Sequence, residues 1–268
     1  MIIIGEKING FIKKTLAAIE SKDEEYLKEL AIKQTESGAA FIDICAGTSV
    51  EIEKETLTWL INLVQDTVDT PICVDSSDPN TIIEMLPLVK KPGLINSISK
   101  EEGKCETVLP VIADTEWSVV ALTCDVNGIP DDPKEKLRIA KEIVADADAL
   151  GIAHERLYID PLVATLASKP ESFVSFSEAV RLIRAEFPDI HITSGLSNIS
   201  FGMPYRKALN MQFLSLAMAA GMDSAIIDPT SPDMLATMYA SAALLGNDPR
   251  CRQYLRAYKK GLFPVKPN

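Results

Sequence analysis

The chain has 268 residues, with 27 Lys and Arg against 38 Asp and Glu for a formal net charge of −11, which excludes the basic surface that binding a nucleic-acid backbone requires. Hydrophobic residues make up 47% and charged residues 24%, a balance that excludes wholesale disorder. No apolar run approaches the ~18 residues of a membrane span, and Met1-Ile2-Ile3-Ile4 before Glu6 and Lys7 shows no basic leader, so no membrane partner and a cytoplasmic location are expected.

Short β-branched runs alternate with stretches of helical period along the whole chain. The first predicted strand is 1–8. A helix closed by Gly38 leads to a strand over 40–46, and a stripe of Leu57, Leu60, Ile61, Val64 and Val68 predicts the next helix before a strand over 71–76. Asp78-Pro79 places a capping residue before a first-turn proline and opens another helix, followed by strands over 93–98 and 118–124. Asp132-Pro133 opens a helix with Leu137, Ala140, Ile143, Val144, Ala147 and Leu150 on one stripe, closed by Gly151. Strands follow over 156–162, 191–195 and 224–229, with a helix closed by Gly221 before the last of them, and Ser231-Pro232 opens a helix that Gly246 closes. Eight βα units at intervals of roughly thirty residues match a (β/α)8 TIM barrel, with an open doubly wound sheet as the rival. No linker or composition shift divides the chain, so one domain over 1–268 is expected. Residues 249–268 are read as an extra C-terminal helix and a frayed, proline-bearing tail.

In such a barrel the site lies at the carboxyl ends of the strands. Asn9, Asp43, Asp75, Asn96, Asp125, Asp160, Ser197, Asn198 and Asp228 fall there, whereas His154 and His191 fall at the opposite end. Any one aspartate in a βα loop is more often a cap or turn former, and Asp228, just before Pro229, is the member that fits this structural role best. Asp75 and Asp160 differ because each ends an apolar strand, Ile72-Cys73-Val74-Asp75 and Leu157-Tyr158-Ile159-Asp160. A carboxylate there offers two parallel acceptors to a planar pair of donors, such as a guanidinium or the amino-pyrimidinone edge of a pterin. In the run Gly195-Leu196-Ser197-Asn198, Gly195 permits close backbone approach to a ligand. Asn198 presents both a donor and an acceptor to a reacting atom.

Two histidines speak against a Ser-His-Asp triad or a His-rich zinc site. The five cysteines, Cys45, Cys73, Cys105, Cys124 and Cys251, are scattered without C-x-x-C pairing, so reduced thiols and no bound metal are expected. Neither a P-loop nor a G-x-G-x-x-G opens a helix.

Taken together, Ile3-Ile4-Gly5-Glu6-Lys7-Ile8-Asn9-Gly10, Ile42-Asp43, Val74-Asp75-Ser76, Ile95-Asn96-Ser97, Tyr158-Ile159-Asp160-Pro161-Leu162 and Gly195-Leu196-Ser197-Asn198-Ile199-Ser200 resemble the methyltetrahydrofolate:corrinoid protein methyltransferases. The resemblance runs in order from the first strand to about Asp228. It implies a pterin-binding barrel, usually a homodimer, that moves a methyl group between N5 of tetrahydrofolate and the cobalt of a corrinoid (cobalamin) on a separate protein. It also implies that Asp75, Asn96 and Asp160 hold the pterin and that Asn198 hydrogen-bonds N5. Catalytic roles are expected for Asn198 and Asp75, and substrate contacts also for Gly195, Ser197 and Arg206. Arg206, Lys207 and Lys100 are candidates for the anionic folate tail, against a reading as solvated loop charge. The loop Phe201-Gly202-Met203-Pro204-Tyr205 is more apolar than that family's pattern. The rival readings are a dihydropteroate synthase-like enzyme, whose Thr-Pro-Asp-Ser-Phe loop after the first Asn is missing here, and a non-catalytic folate-binding subunit.

Overall fold

The computed structural model describes residues 1–101 and 103–264. Strands form at all eight predicted places: β1 (Ile2–Asn9), β2 (Phe41–Cys45), β3 (Ile72–Asp75), β4 (Leu94–Lys100), β5 (Ser118–Asp125), β6 (Leu157–Asp160), β7 (His191–Ile192) and β8 (Ser224–Ile227). All neighbouring pairs are parallel, in the order β7-β6-β5-β4-β3-β2-β1-β8. The ring closes between the two ends of that series, where Asp223 N donates to Ile192 O (3.2 Å), Ile226 N donates to Ser194 O (3.0 Å) and Gly195 bridges Ile226. The sheet is therefore a barrel and not an open doubly wound sheet.

Helices cover the outside. Two, α1 (Lys13–Glu20) and α2 (Glu24–Glu36), lie between β1 and β2; α3 (Val50–Thr67), α4 (Pro79–Met85), α5 (Lys104–Ile112), α6 (Pro133–Ala149), α7 (Ser172–Glu186), α8 (Arg206–Ala220) and α9 (Pro232–Leu244) follow one per strand. The three predicted Pro-initiated helices start as expected. Asp78 accepts from the N–H groups of Asn80 and Thr81, Asp132 from that of Lys134, and Ser231 from that of Met234, satisfying donors that a helix start leaves unpaired. Gly38, Gly151, Gly221 and Gly246 all stand at positive φ after helices, as the stops require. A 3-10 turn over Pro249–Cys251 leads into the expected extra helix, α10 (Arg252–Lys259); the last four residues of the predicted tail, 265–268, lie outside the described residues.

Strand alternation sends side chains to two separate apolar layers. Ile4, Cys73, Leu94, Val120 and Tyr158, with Ile2, Phe41, Leu122 and Ile226 against them, fill the barrel's interior. The intervening residues, among them Ile3, Ile42, Ile44, Ile72, Val74 and Ile95, face outward into the larger layer shared with the helices. One helix stripe departs from expectation. On α6 the buried residues are Lys136, Ile139, Ala140, Ile143, Val144 and Ala147, while Leu150 is exposed. The stripe thus starts one residue earlier than its apolar residues suggest, and it begins with a lysine.

Candidate active site at the barrel mouth

Following the interior positions up each strand, the apolar layer gives way to a polar one. Ile2 and Ile4 are succeeded by Glu6, Phe41 by Asp43, Cys73 by Asp75, Leu94 by Asn96, Tyr158 by Asp160 and Ile226 by Asp228, each two residues on and therefore on the same face. Six strands thus aim a carboxyl or amide inward at the end where barrel sites form. Cys45, Asp75 and Asn96 stand in register across β2, β3 and β4, and Asp43 is one layer deeper, in register with Cys73. The Asn96 amide donates to Asp43 Oδ1 at 3.3 Å. Close packing of the loops sets this rim: a side-chain carbon at Gly10 would lie 2.0 Å from Ala46 O, so only glycine lets the ends of β1 and β2 meet.

Crowded, buried carboxyls resist ionisation. Burial pushes Asp43 up to about 6, although the Cys73 thiol and the Asn96 amide donate to it. Burial, and then the charge of Asp43, raises Asp75 well above the carboxylate range. Burial and then Asp228 raise Glu6 to about 7, with Lys7 opposing; Lys7 also pairs with Asp228 at 3.1 Å. Burial takes Asp160 to about 6 against three opposing contacts: the N–H of Leu162 (2.7 Å), the N–H of Gly195 (3.4 Å) and the charge of Lys136. A ligand that presents several N–H donors to this mouth relieves the repulsion and favours the ionised forms.

After β7 the chain makes a 3-10 turn over Leu196–Ser200. Gly195 N–H, at the turn's entry, is the donor to Asp160, and Asn198 N donates to Gly195 O at 3.2 Å. The Asn198 side chain is exposed and its amide nitrogen lies 3.0 Å from where a side-chain carbon at Gly195 would stand, so it sits over Gly195. Arg206, the first residue of α8, braces this turn: its Nε donates to Ser200 Oγ (3.0 Å) and its Nη2 to Ser197 O (2.9 Å). Its guanidinium also lies 5.7 Å over the Phe201 ring. The loop after β6 is tied to the same turn through Leu166 N to Ile199 O (3.0 Å) and Thr165 Oγ1 to Phe201 O.

Asp75, Asn96, Asp160, Gly195, Ser197, Asn198 and Arg206 therefore come together at one end, as the sequence predicts. Other candidates there have local work. Asn9 Oδ1 accepts Phe11 N at 2.8 Å in a turn. Asp125 accepts Asn127 N at 2.8 Å and pairs with Arg138 at 2.9 Å. Asp228 accepts from Thr230, as its proposed turn role requires, but it also shapes the electrostatics of Glu6. Lys100 is held by Asp146 of α6 at 2.7 Å, and Lys207 pairs with Asp233. His154 and His191 bond Asp148 and Asp223 at the opposite end. Cys45, Cys73, Cys105 and Cys124 are buried free thiols and Cys251 is an exposed one. Burial pushes the thiols of Cys45, Cys73, Cys105 and Cys124 up, away from reactive thiolate.

Sequence reasoning missed two members. Glu6 lies inside an apolar strand start, where the only signal was its spacing of two from Ile4. Lys136 is 4% exposed, donates to Leu162 O at 2.8 Å and faces Asp160. Its signal was a charge at a core position of the α6 stripe.

A family model described as pterin binding enzyme matches residues 14–228. Over 269 aligned residues, 99% of each chain, the protein is 49% identical to a methylcorrinoid:tetrahydrofolate methyltransferase of Eubacterium limosum. It is 29% identical to methionine synthase of Mycobacterium tuberculosis across 85% of this chain but only 20% of that one. Among solved structures, dihydropteroate synthase of Yersinia pestis with a pterine-sulfa conjugate superposes with a TM-score of 0.66 at 18% identity, covering 91% of this chain and 94% of that one. The enzyme from Xanthomonas albilineans in complex with 7,8-dihydropteroate gives 0.63 at 18% identity, covering 92% of both; at such identity these two likenesses speak for the barrel alone. By the extent of the family match and of the full-length relative, the chain belongs to the pterin-binding enzymes.

Proposed function

We propose that this protein is a methyltransferase that moves a methyl group between the cobalt of a corrinoid carried by a partner protein and N5 of tetrahydrofolate. The observation that carries the reading is the full-length similarity to a methylcorrinoid:tetrahydrofolate methyltransferase. That relative's name favours transfer from methylcobalt(III) to tetrahydrofolate. The mouth suits the substrate: Asp75, Asn96 and Asp160 offer acceptors and one amide to the donor-rich edge of a pterin ring. The dihydropteroate synthase reading has only fold likeness behind it.

In the favoured direction the N5 lone pair takes the methyl carbon, the cobalt–carbon bond breaks with its electron pair left on cobalt as cobalt(I), and the N5 proton departs. No protein nucleophile is needed, so the chain's work is position and electrostatics. Asn198 accepts from N5–H before transfer and donates toward the nitrogen afterwards, because its amide carries both functions. Asp75 is the acceptor for the released proton: the ring's N–H donors favour its ionised form on binding, and burial with the nearby charge of Asp43 favours its protonated form once the proton is free. Gly195 and Ser197 shape the backbone beside the ring. Arg206 holds the Asn198 turn with Nε and Nη2 and keeps Nη1 for the anionic glutamate of folate.

Cobalt must reach bonding distance of N5, so the corrinoid protein has to cover the mouth. Phe11, Val126, Ile129, Phe201 and Tyr205 in the loops, and Val50 at the start of α3, are exposed around that opening, with Phe11 at 81% and Tyr205 at 80%, the kind of apolar rim that a partner covers. Among the described residues no helix is long and apolar enough to cross a membrane. The same reading makes the protein a single-domain cytoplasmic homodimer, and light scattering checks the dimer by its mass.

Anaerobic visible spectroscopy tests the reaction. Mixed with methylcobalamin and tetrahydrofolate, the protein should produce the cobalt(I) spectrum faster than a protein-free control. No acceleration in either direction, with free or protein-bound corrinoid, would refute the methyltransferase.

A further inference from the structure

We infer that Lys136, buried behind the mouth on α6, is a positioning residue of the pterin site: its ammonium is the counter-charge of Asp160 and pins the Asp160–Leu162 turn. The inference rests on the reading of Asp160 as a pterin ligand and adds to it what keeps that ligand ionised and in place.

A lysine that is only 4% exposed needs compensation for its lost hydration. Lys136 finds it at one spot. Nζ donates to Leu162 O at 2.8 Å, Leu162 N donates to Asp160 Oδ1 at 2.7 Å, and Leu162 itself stands at φ 53°, a left-handed backbone rare for a leucine. Ammonium, carbonyl, N–H and carboxylate thus form one short relay, and the ammonium holds a turn that the chain would not choose by itself. Further along, Asp160 Oδ2 accepts Gly195 N–H at 3.4 Å, which links the same carboxylate to the turn carrying Asn198.

Lys136 reaches Asp160 through the Leu162 peptide and not by direct contact, and its charge adds to the two N–H groups, of Leu162 and Gly195, that oppose the burial of Asp160. Lys136 in turn faces Asp131 and Lys169 from the neighbouring loops, but these two pair with each other and act on it in opposite senses. A protonated Asp160 would turn one of its acceptors into a donor against the donor edge of the ring. Lys136 therefore widens, toward low pH, the range over which the mouth accepts a pterin.

Anaerobic calorimetric titration of the full-length protein with tetrahydrofolate between pH 6 and pH 9 tests this, using Lys136→Met, Lys136→Gln and Lys136→Arg. For an acid raised from about 6 to about 7, the Met and Gln variants should bind about fivefold more weakly at pH 6 and about twofold more weakly at pH 7, and should match wild type by pH 9. The Arg variant should follow the wild-type profile throughout. A Gln variant that matches wild type would show that the hydrogen bond to Leu162 suffices, and would overturn the counter-charge. So would an affinity loss that is equal at every pH. If the Met variant does not fold, the Gln and Arg variants carry the comparison. Absence of tetrahydrofolate binding by the unmodified protein would overturn the pterin reading itself and, with it, the role given to Lys136.

Discussion

Glu6 stands among Asp228, Asp43, Lys7 and Arg206 with its carboxyl raised to about 7 from an ordinary value of 4.5. A carboxyl raised on folding stabilises the fold fully below its unfolded pKa, and that contribution is lost as pH rises through the folded one. Hence Glu6→Gln should leave thermal stability unchanged at pH 4 and raise it at pH 8, by on the order of 3 kcal/mol; melting curves of the unliganded protein at the two pH values check this. Asn198 makes the opposite kind of claim, on rate. Asn198→Ala should cut turnover by about 100-fold or more while tetrahydrofolate affinity falls only a few-fold, because the lost contact matters most as N5 changes its bonding. Asp75 and Asp160 were legible from sequence since each closes an apolar run, and Asn198 since it lies among small residues at a strand end. Glu6 and Lys136 were hidden because a strand start and a helix stripe are places where a charge is ordinarily read as solvated.

At the scale of elements, the turn over Leu196–Ser200 is held by α8 through Arg206 and by the loop after β6 through Thr165 and Leu166. Arg206→Ala should therefore lower turnover and also raise KM for tetrahydrofolate. With a pterin lacking the glutamate tail, only the turnover loss should remain. Steady-state kinetics on the two substrates separate the bracing from the tail contact, and an unchanged KM ratio would leave Arg206 as a brace alone. Element limits were legible wherever a capping residue preceded proline or a glycine followed a helix, because local chemistry decides both. They were less so at β7, predicted over 191–195 but paired as a strand only at His191–Ile192. There Thr193, Ser194 and Gly195 lie at the barrel's closing seam, whose geometry depends on β8 and not on local pattern.

Over the whole molecule, the eightfold alternation was enough to read a barrel, since parallel strands with outer helices leave few other ways to bury both faces. What alternation could not show is which residues line the interior, a consequence of barrel closure and strand register. The apolar rim is likewise a property of the assembled loops, collected from four separate connections. Phe11→Ser and Tyr205→Ser should raise KM for a corrinoid protein several-fold while leaving transfer from free methylcobalamin unchanged, because only the protein-borne corrinoid must dock on the rim. Equal effects on both would place these residues in the pocket and not at a docking surface.

The central claim, that an inward ring of acid and amide groups positions tetrahydrofolate for methyl transfer to or from cobalt, is tested most directly by single-turnover stopped-flow spectroscopy under anaerobic conditions. Wild type and Asn198→Ala would each be saturated with tetrahydrofolate and mixed with methylcobalamin. The account predicts rapid appearance of cobalt(I) with wild type and a rate at least about 100-fold lower with the variant, despite full occupancy. Equal rates for the two, or no reaction above the protein-free background, would contradict it.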